Sequence, residues 1–182
     1  MNEAAASVGS PAIFLDRDGT IMRDVEYCAD PAHVEILPGA TSALRALKHA
    51  GFKLIVITNQ SGIGRGYFGE AEYRAVEHEL AQQLGGDVIA ATYFCPDAPD
   101  AESTRRKPEP AMIFEAARDY SLDLSHSFFI GDKQIDSDCG RNAGMRTILV
   151  QTGRERNPPN AQADWVVSDL AEAAAIILKH GA

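Results

Sequence analysis

The chain of 182 residues has room for one domain and a small insertion, not for two full domains. Hydrophobic residues make up 45% and charged residues 24%, which excludes disorder, collagen and coiled coil as descriptions of the whole. A net charge of −9 disfavours nucleic acid and anionic membrane as partners, because an acidic surface repels both.

Residues 1–10 are rich in Ala, Ser and Gly and are expected to form a flexible N-terminus, with a single domain over 11–182. They have neither the basic start nor the apolar run of a signal peptide, and no stretch approaches the roughly 20 apolar residues that span a bilayer. Cys28, Cys95 and Cys139 are odd in number and far apart, so they form no disulfide framework. A reducing, cytoplasmic location is the expectation.

The first element is Ala12-Ile13-Phe14-Leu15, a short apolar run ending at Asp16 that reads as a buried strand. A polar stretch and Pro38-Gly39 lead to Ala43, Leu44, Leu47 and Ala50, which recur at helical spacing up to a stop at Gly51. Residues 53–58 form the clearest strand, β-branched and apolar on both faces, as a parallel sheet covered by helices requires. A glycine-rich loop spans 59–69, and Tyr73, Val76, Leu80 and Leu84 mark the next helix. A strand is expected over 88–95, a polar loop over 96–107, and then a helix opened by Pro108-Glu109-Pro110. Phe128-Phe129-Ile130 is a strand running into Gly131-Asp132, followed by a helix over 135–143. Strands at 147–150 and 165–167 and a helix over 170–179 complete the domain.

Strands alternating with helices predict an α/β fold, a Rossmann-like parallel sheet with helices on both faces. Such folds place their sites just beyond the carboxyl ends of the strands. That singles out Asp16 with Asp18, Thr58 with Asn59, and Asp132 with Asp136; Lys107 sits on a loop able to reach the same edge.

Each motif alone has a bland reading. Asp16-Arg17-Asp18-Gly19-Thr20 sets two carboxylates two residues apart, and their repulsion calls for a cation, yet Asp and Gly also make solvated turns. It lacks the later ligands of a calcium loop. Thr58-Asn59-Gln60-Ser61-Gly62 offers a hydroxyl and backbone N–H groups suited to an anion, or is simply a polar connection. Gly64-Arg65-Gly66-Tyr67-Phe68-Gly69 fits the dinucleotide glycine pattern but sits too far beyond its strand, so glycines that let the backbone approach a substrate explain it equally well. Lys107 before Pro108 is uninformative alone, and Asp136 near a helix start is a common capping choice. Taken together, a carboxylate nucleophile, a hydroxyl, a cation and a metal-binding carboxylate occur in order at strand ends.

This set resembles the haloacid dehalogenase (HAD) superfamily of phosphohydrolases over nearly the whole chain. Phe14-Leu15-Asp16-Arg17-Asp18-Gly19-Thr20-Ile21, Thr58-Asn59-Gln60-Ser61-Gly62-Ile63, Arg106-Lys107-Pro108 and Gly131-Asp132-Lys133 narrow the likeness to the D-glycero-D-manno-heptose 1,7-bisphosphate phosphatases, with the histidinol-phosphate phosphatases as relatives. The resemblance implies an essentially capless, magnesium-dependent enzyme. In it Asp16 is the nucleophile, Asp18 the general acid and base, and Thr58 and Lys107 stabilise the phosphoryl group. The metal falls to Asp16, Asp18 (through its carbonyl) and Asp132. Substrate contacts fall to Asp24, Val25, Glu26, Tyr27, Asn59, Gln60, Ser61, Arg106 and Lys133. Arg106 suits the non-reacting phosphate, since a guanidinium pairs well with phosphate oxygens. Asp136 is expected to support the metal shell or Lys133 by hydrogen bonding.

One departure stands out. Many members of that family carry a zinc loop, Cys-x-His followed by Cys-x-Cys, where this chain has Cys95-Pro96-Asp97 and Ser103-Thr104-Arg105. One ligand of four remains, so no zinc is expected, and Cys95 reads as a buried, inert thiol. The expected partner is a small sugar phosphate, met by a monomer. The rivals are a histidinol-phosphate phosphatase, a polynucleotide 3′-phosphatase (opposed by the acidic charge) and an inactive phosphate-binding module (opposed by the presence of both Asp16 and Asp18).

Overall fold

The computed structural model describes residues 9–154 and 161–180. Its centre is a six-stranded sheet of β1 (Ala12–Leu15), β2 (Lys53–Asn59), β3 (Ala91–Cys95), β4 (Phe128–Gly131), β5 (Arg146–Val150) and β6 (Trp165–Val167), in the order β3-β2-β1-β4-β5-β6. All neighbours run parallel.

All four residues of β1 are buried, because successive side chains in a strand point to opposite faces and both faces are covered. Ile13 and Leu15 join one core, under α1 (Ala40–His49), α3 (Glu70–Leu84) and α6 (Leu170–His180). Ala12 and Phe14 join the other, under α4 (Ala111–Tyr120) and α5 (Gln134–Asn142). The spacing that marked two helices is the spacing of their buried residues, Ala43, Leu44 and Leu47 in α1 and Val76, Leu80 and Leu84 in α3; α4 buries Met112, Ile113 and Ala116.

Strand order reverses at β1, with β2 and β3 to one side and β4 to β6 to the other, so a crevice opens where β1 ends. Register fixes what stands there. Leu15 pairs with Val56 and with Ile130, so Asp16, Thr58 and Asp132 leave three adjacent strands at nearly one level. The Asp16 N–H donates to the Ile130 carbonyl at 2.9 Å, holding the chain in place as it leaves the sheet.

Three expectations change. The 59–69 loop contains one helical turn, α2 (Ser61–Gly64). Two of its glycines, Gly62 and Gly64, are needed for packing. A Cβ on Gly64 would meet the backbone of 96–98, and one on Gly62 would enter the Phe68 ring. The strand expected over 88–95 begins at Ala91. Gly85 and Gly86 take left-handed backbone (φ 108° and 82°), and the chain needs the following residues to complete the turn. Ser10, placed in the flexible N-terminus, is tied down: its N–H donates to Ser121 O at 3.1 Å and its carbonyl accepts from Asp123 N at 3.0 Å. The remainder of that expectation, over 1–8, lies outside the described residues.

Helix α5 lies so close to the sheet that a Cβ on Gly140 would come within 2.7 Å of Phe129 Cβ and Thr147 Cγ2. Gly140→Ala is therefore expected to destabilise the protein by about 1–3 kcal/mol through overpacking, despite alanine's better helix propensity. A denaturant midpoint equal to or above that of the parent would contradict this packing.

Candidate active site

Three buried carboxylates meet at the β1–β4 crevice. Asp16, Asp132 and Asp136 each bring a carboxylate oxygen within 4.8 Å of the others. Asp16 and Asp132 come from strand ends. Asp136 comes from the first turn of α5, where its Oδ2 accepts the Lys133 N–H at 3.0 Å and so fixes the start of the helix.

Such a cluster requires positive charge nearby. Lys107 Nζ reaches in from the loop after β3, 2.6 Å from Asp16 Oδ1 and 2.7 Å from Asp136 Oδ1, and it donates to Ile57 O at 2.9 Å. Its backbone is clamped by the Asn59 amide, with Lys107 N donating to Asn59 Oδ1 at 3.1 Å and Asn59 Nδ2 to Lys107 O at 3.2 Å. Lys133 Nζ sits higher, 3.3 Å from Asp24 Oδ2 and 3.8 Å from Asp132 Oδ2.

The electrostatics follow from burial plus crowding. Burial pushes the Asp16 carboxyl up; Lys107 opposes this and Asp136 reinforces it. Burial, then Asp16 and Asp136, push Asp132 up to about 8. Burial works against the charge on Lys107, but Asp136 and Asp16 more than offset it, and the ammonium is held protonated. Lys133 is held protonated in the same way by Asp132 and Asp16.

The backbone leaves deliberate room around Asp132. Gly19, in left-handed backbone at φ 85°, and Gly153 both face its carboxylate so closely that a Cβ on either would collide with it. Thr152 Oγ1 donates to Gly19 O at 2.6 Å and joins the two loops. Oxygen donors on one side of a glycine-lined hollow suit a small hard cation.

Thr58, fully buried, accepts at Oγ1 from Gln60 Nε2 at 2.8 Å. Beside it a cleft of about 260 Å³ is lined by Asp18, Asp24, Glu26, Tyr27, Asn59, Gln60, Ser61 and Lys133. Of the residues expected at the substrate, Asp24, Glu26, Tyr27, Asn59, Gln60, Ser61 and Lys133 line this one cleft. Glu26 and Tyr27 take left-handed backbone (φ 41° and 57°), uncommon without glycine, and this conformation carries the 24–27 segment over the opening.

Two expected substrate residues stand elsewhere. Val25 packs, partly buried, against the core, because the backbone turn sends its apolar side chain inward. Arg106 lies outside the cleft lining, with Nη1 donating to Asp97 O at 3.1 Å. Residues that sequence reasoning missed are Arg17, Glu77, Cys28, Gly62 and Arg154. Cys28, Gly62 and Arg154 line the cleft, and Arg154 Nη1 lies 2.9 Å from Glu26 Oε2. Arg17, between two aspartates, and Gly62, within the Thr58–Gly62 motif, had a signal, and Glu77, Cys28 and Arg154 had none.

Around Cys95 a hydrogen-bonded clip occupies the loop. Cys95 is buried, its Sγ 3.3 Å from Asp97 Oδ2 and 3.5 Å from Ser103 Oγ. Burial pushes the thiol up, as an inert cysteine requires. Ser103 Oγ accepts from the backbone N–H of Arg105 (3.3 Å) and of Arg106 (3.2 Å), and the Arg105 guanidinium grips Glu115 at 2.6 Å.

Residues 104–173 match the HAD-hydrolase-like family. The chain is 39% identical over 189 aligned residues to the D-glycero-D-manno-heptose-1,7-bisphosphate 7-phosphatase of Thermosynechococcus vestitus, covering 93% of this chain and 96% of that one. The chain belongs to this phosphatase family. Another member, the D-glycero-β-D-manno-heptose-1,7-bisphosphate 7-phosphatase of Escherichia coli K12, is 40% identical over 182 residues, covering 93% of this chain and 95% of that one. Among solved structures, the D,D-heptose 1,7-bisphosphate phosphatase of B. bronchiseptica, crystallised with magnesium and phosphate, has a TM-score of 0.83 at 33% identity, covering 93% of this chain and 99% of that chain.

The clip generates a prediction. Ser103→Ala removes the acceptor for two loop N–H groups and should loosen the segment that carries Arg106 and Lys107, at about 1–2 kcal/mol of local stability. Faster amide exchange confined to the 96–107 loop is the expected readout, and unchanged exchange would show that Ser103 does not hold it.

Proposed function

We propose that the protein removes the 7-phosphate of D-glycero-D-manno-heptose 1,7-bisphosphate through an aspartyl-phosphate intermediate, in the cytoplasmic synthesis of bacterial surface heptose. The reading assigns one domain over 11–182 and a monomer that uses magnesium and no zinc. Family membership supports the substrate. The observation that carries the chemistry is the buried meeting of Asp16, Asp132 and Lys107 at the strand ends, beside a polar cleft. No helix among the described residues is long and apolar enough to cross a membrane.

The roles follow from position. An Asp16 oxygen forms a bond to phosphorus as the bond from phosphorus to the C7 oxygen breaks. Asp18 gives its proton to that departing oxygen. It then takes a proton from the water that attacks the aspartyl-phosphate, and this releases inorganic phosphate and restores both carboxyl groups. Thr58 and Lys107 donate hydrogen bonds to the phosphoryl oxygens, and both are held before substrate arrives. Lys133, Asp24, Glu26 and Tyr27 meet the sugar end. The second phosphate falls to Arg106 on the family likeness, and to reach it the guanidinium would have to leave Asp97 O and turn into the cleft.

The buried oxygen donors and the glycine hollow fit magnesium. Asp16, Asp132 and the Asp18 carbonyl would hold the ion, and it would supply charge neutralisation between carboxylates and phosphate. Asp136 has both oxygens engaged, by Lys107 and by the Lys133 N–H, so it acts as a support. Cys95 is one of four family zinc positions, and here its neighbours are Asp97 and Ser103.

Asp16→Asn should abolish release of phosphate from the bisphosphate, by at least about 10⁴-fold, with an unchanged circular dichroism spectrum. Retained turnover would remove Asp16 as the nucleophile. Parallel assays with histidinol phosphate decide the substrate.

Metal and proton compete for Asp132, whose carboxyl is raised from 3.8 to about 8 in the folded chain. Without metal the folded state holds this proton more tightly than the unfolded state. The group's contribution to stability is therefore present at low pH and is lost as pH rises towards 8. Magnesium binds the deprotonated form, so the rise in melting temperature on adding magnesium should be larger at about pH 8 than at about pH 6. A shift that is equal or smaller at the higher pH would contradict the assignment.

A further inference from the structure

We propose that Arg17, held from behind by Glu77, is a positioning residue that fixes the carboxyl of Asp18 for proton transfer to the leaving group. The inference rests on the reading of Asp18 as general acid. Arg17 is fully buried directly beneath the site and takes no part in the chemistry described above. Its guanidinium reaches both oxygens of its neighbour, Nε to Asp18 Oδ2 at 3.1 Å and Nη2 to Asp18 Oδ1 at 3.2 Å. Nη2 also donates to Gln60 Oε1 at 3.1 Å, and Gln60 Nε2 returns to Asp18 Oδ2 at 3.0 Å, closing a ring that touches Thr58. On its outer side Nη1 meets Glu77 Oε1 at 2.8 Å, 60 residues away on α3, while the Tyr73 ring lies 5.6 Å from Cζ.

A buried ion-paired cluster gains little stability over apolar packing of the same volume, because each charge must be stripped of water. What it supplies is geometry. A planar fork with both arms fixed holds a carboxylate in one plane, as a single point charge does not. Arg17 and Gln60 crowd Asp18 Oδ2, with Nη2 also 2.9 Å from it, and Oδ1 takes a single longer contact from Nη2 at 3.2 Å. Oδ1 is the oxygen left for the transferred proton, and Asp18 itself lines the cleft. Glu77 completes the device by fixing the far edge of the fork. It is the one member outside the strand-end loops, so it can be altered without touching substrate, metal or nucleophile.

The test exploits the leaving group. A sugar alkoxide needs a proton as it departs, whereas 4-nitrophenolate does not. Glu77→Gln should lower kcat/KM for the heptose bisphosphate by roughly 10- to 100-fold, the scale of a misplaced catalytic group, and that for 4-nitrophenyl phosphate by less than about threefold. Glu77→Asp should recover part of the loss, and it also provides the measurement if the glutamine variant does not fold. An equal loss on both substrates, as a merely structural role predicts, overturns the proposal, as does no loss on either. Asp18→Asn serves as the control and should show the same selectivity. If it does while Glu77→Gln does not, the positioning role alone fails. If Asp18→Asn lowers kcat/KM, which reports the phosphorylation half alone, equally for both substrates, the proton-donor reading fails and the positioning role goes with it.

Discussion

A single ammonium group organises this molecule's functional end. Lys107 Nζ lies between Asp16 and Asp136 in a pocket closed to water, with the Ile57 carbonyl beneath it. Without it two buried carboxylates would face each other at full cost, and the segment would protonate or spread apart. With it, β1, β2, the loop before α4, and α5 are joined at one point. The Asn59 bracket on the Lys107 backbone exists for the same reason, since a charge placed this tightly needs its main chain fixed as well.

The surrounding structure is arranged to make that point possible. A parallel sheet whose order reverses at β1 leaves its central strand end uncovered by a crossover, so polar residues accumulate there and nowhere else along the strand. The two cores beneath are continuous and apolar, and they supply a rigid floor. At glycines 19 and 153 the backbone comes closer to the Asp132 carboxylate than any side chain would allow.

Among the described residues, buried charge forms two systems. One is the Asp16, Asp132, Asp136 and Lys107 cluster, which meets phosphate. The other is the Arg17, Asp18, Gln60 and Glu77 ring, which is balanced differently and reaches outward to α3. Adjacent residues of one short motif, Asp16 and Arg17, thus enter different networks just beyond the end of β1, Asp16 with Lys107 and Arg17 with Asp18 and Glu77. The loop after β3 adds a third polar construction, where Cys95, Asp97 and Ser103 tie down a segment through hydrogen bonds.

The sequence by itself determined the sheet-and-helix alternation, the strand ends and the main charged residues of the site, because burial and periodicity are local and because aspartate pairs after apolar runs are rare enough to notice. It also marked Lys107, although nothing near that residue says where its side chain goes. Tertiary structure decided the rest. Val25 turned inward and Arg106 stayed outside the cleft lining because backbone direction in loops is set by contacts far along the chain. Glu77 had no signal at all: on a helix it is one charged residue among many, and only the packing of α3 against the β1 end places it 2.8 Å from a buried guanidinium. Pairings across dozens of residues depend on how the elements dock, and a linear pattern carries no record of that.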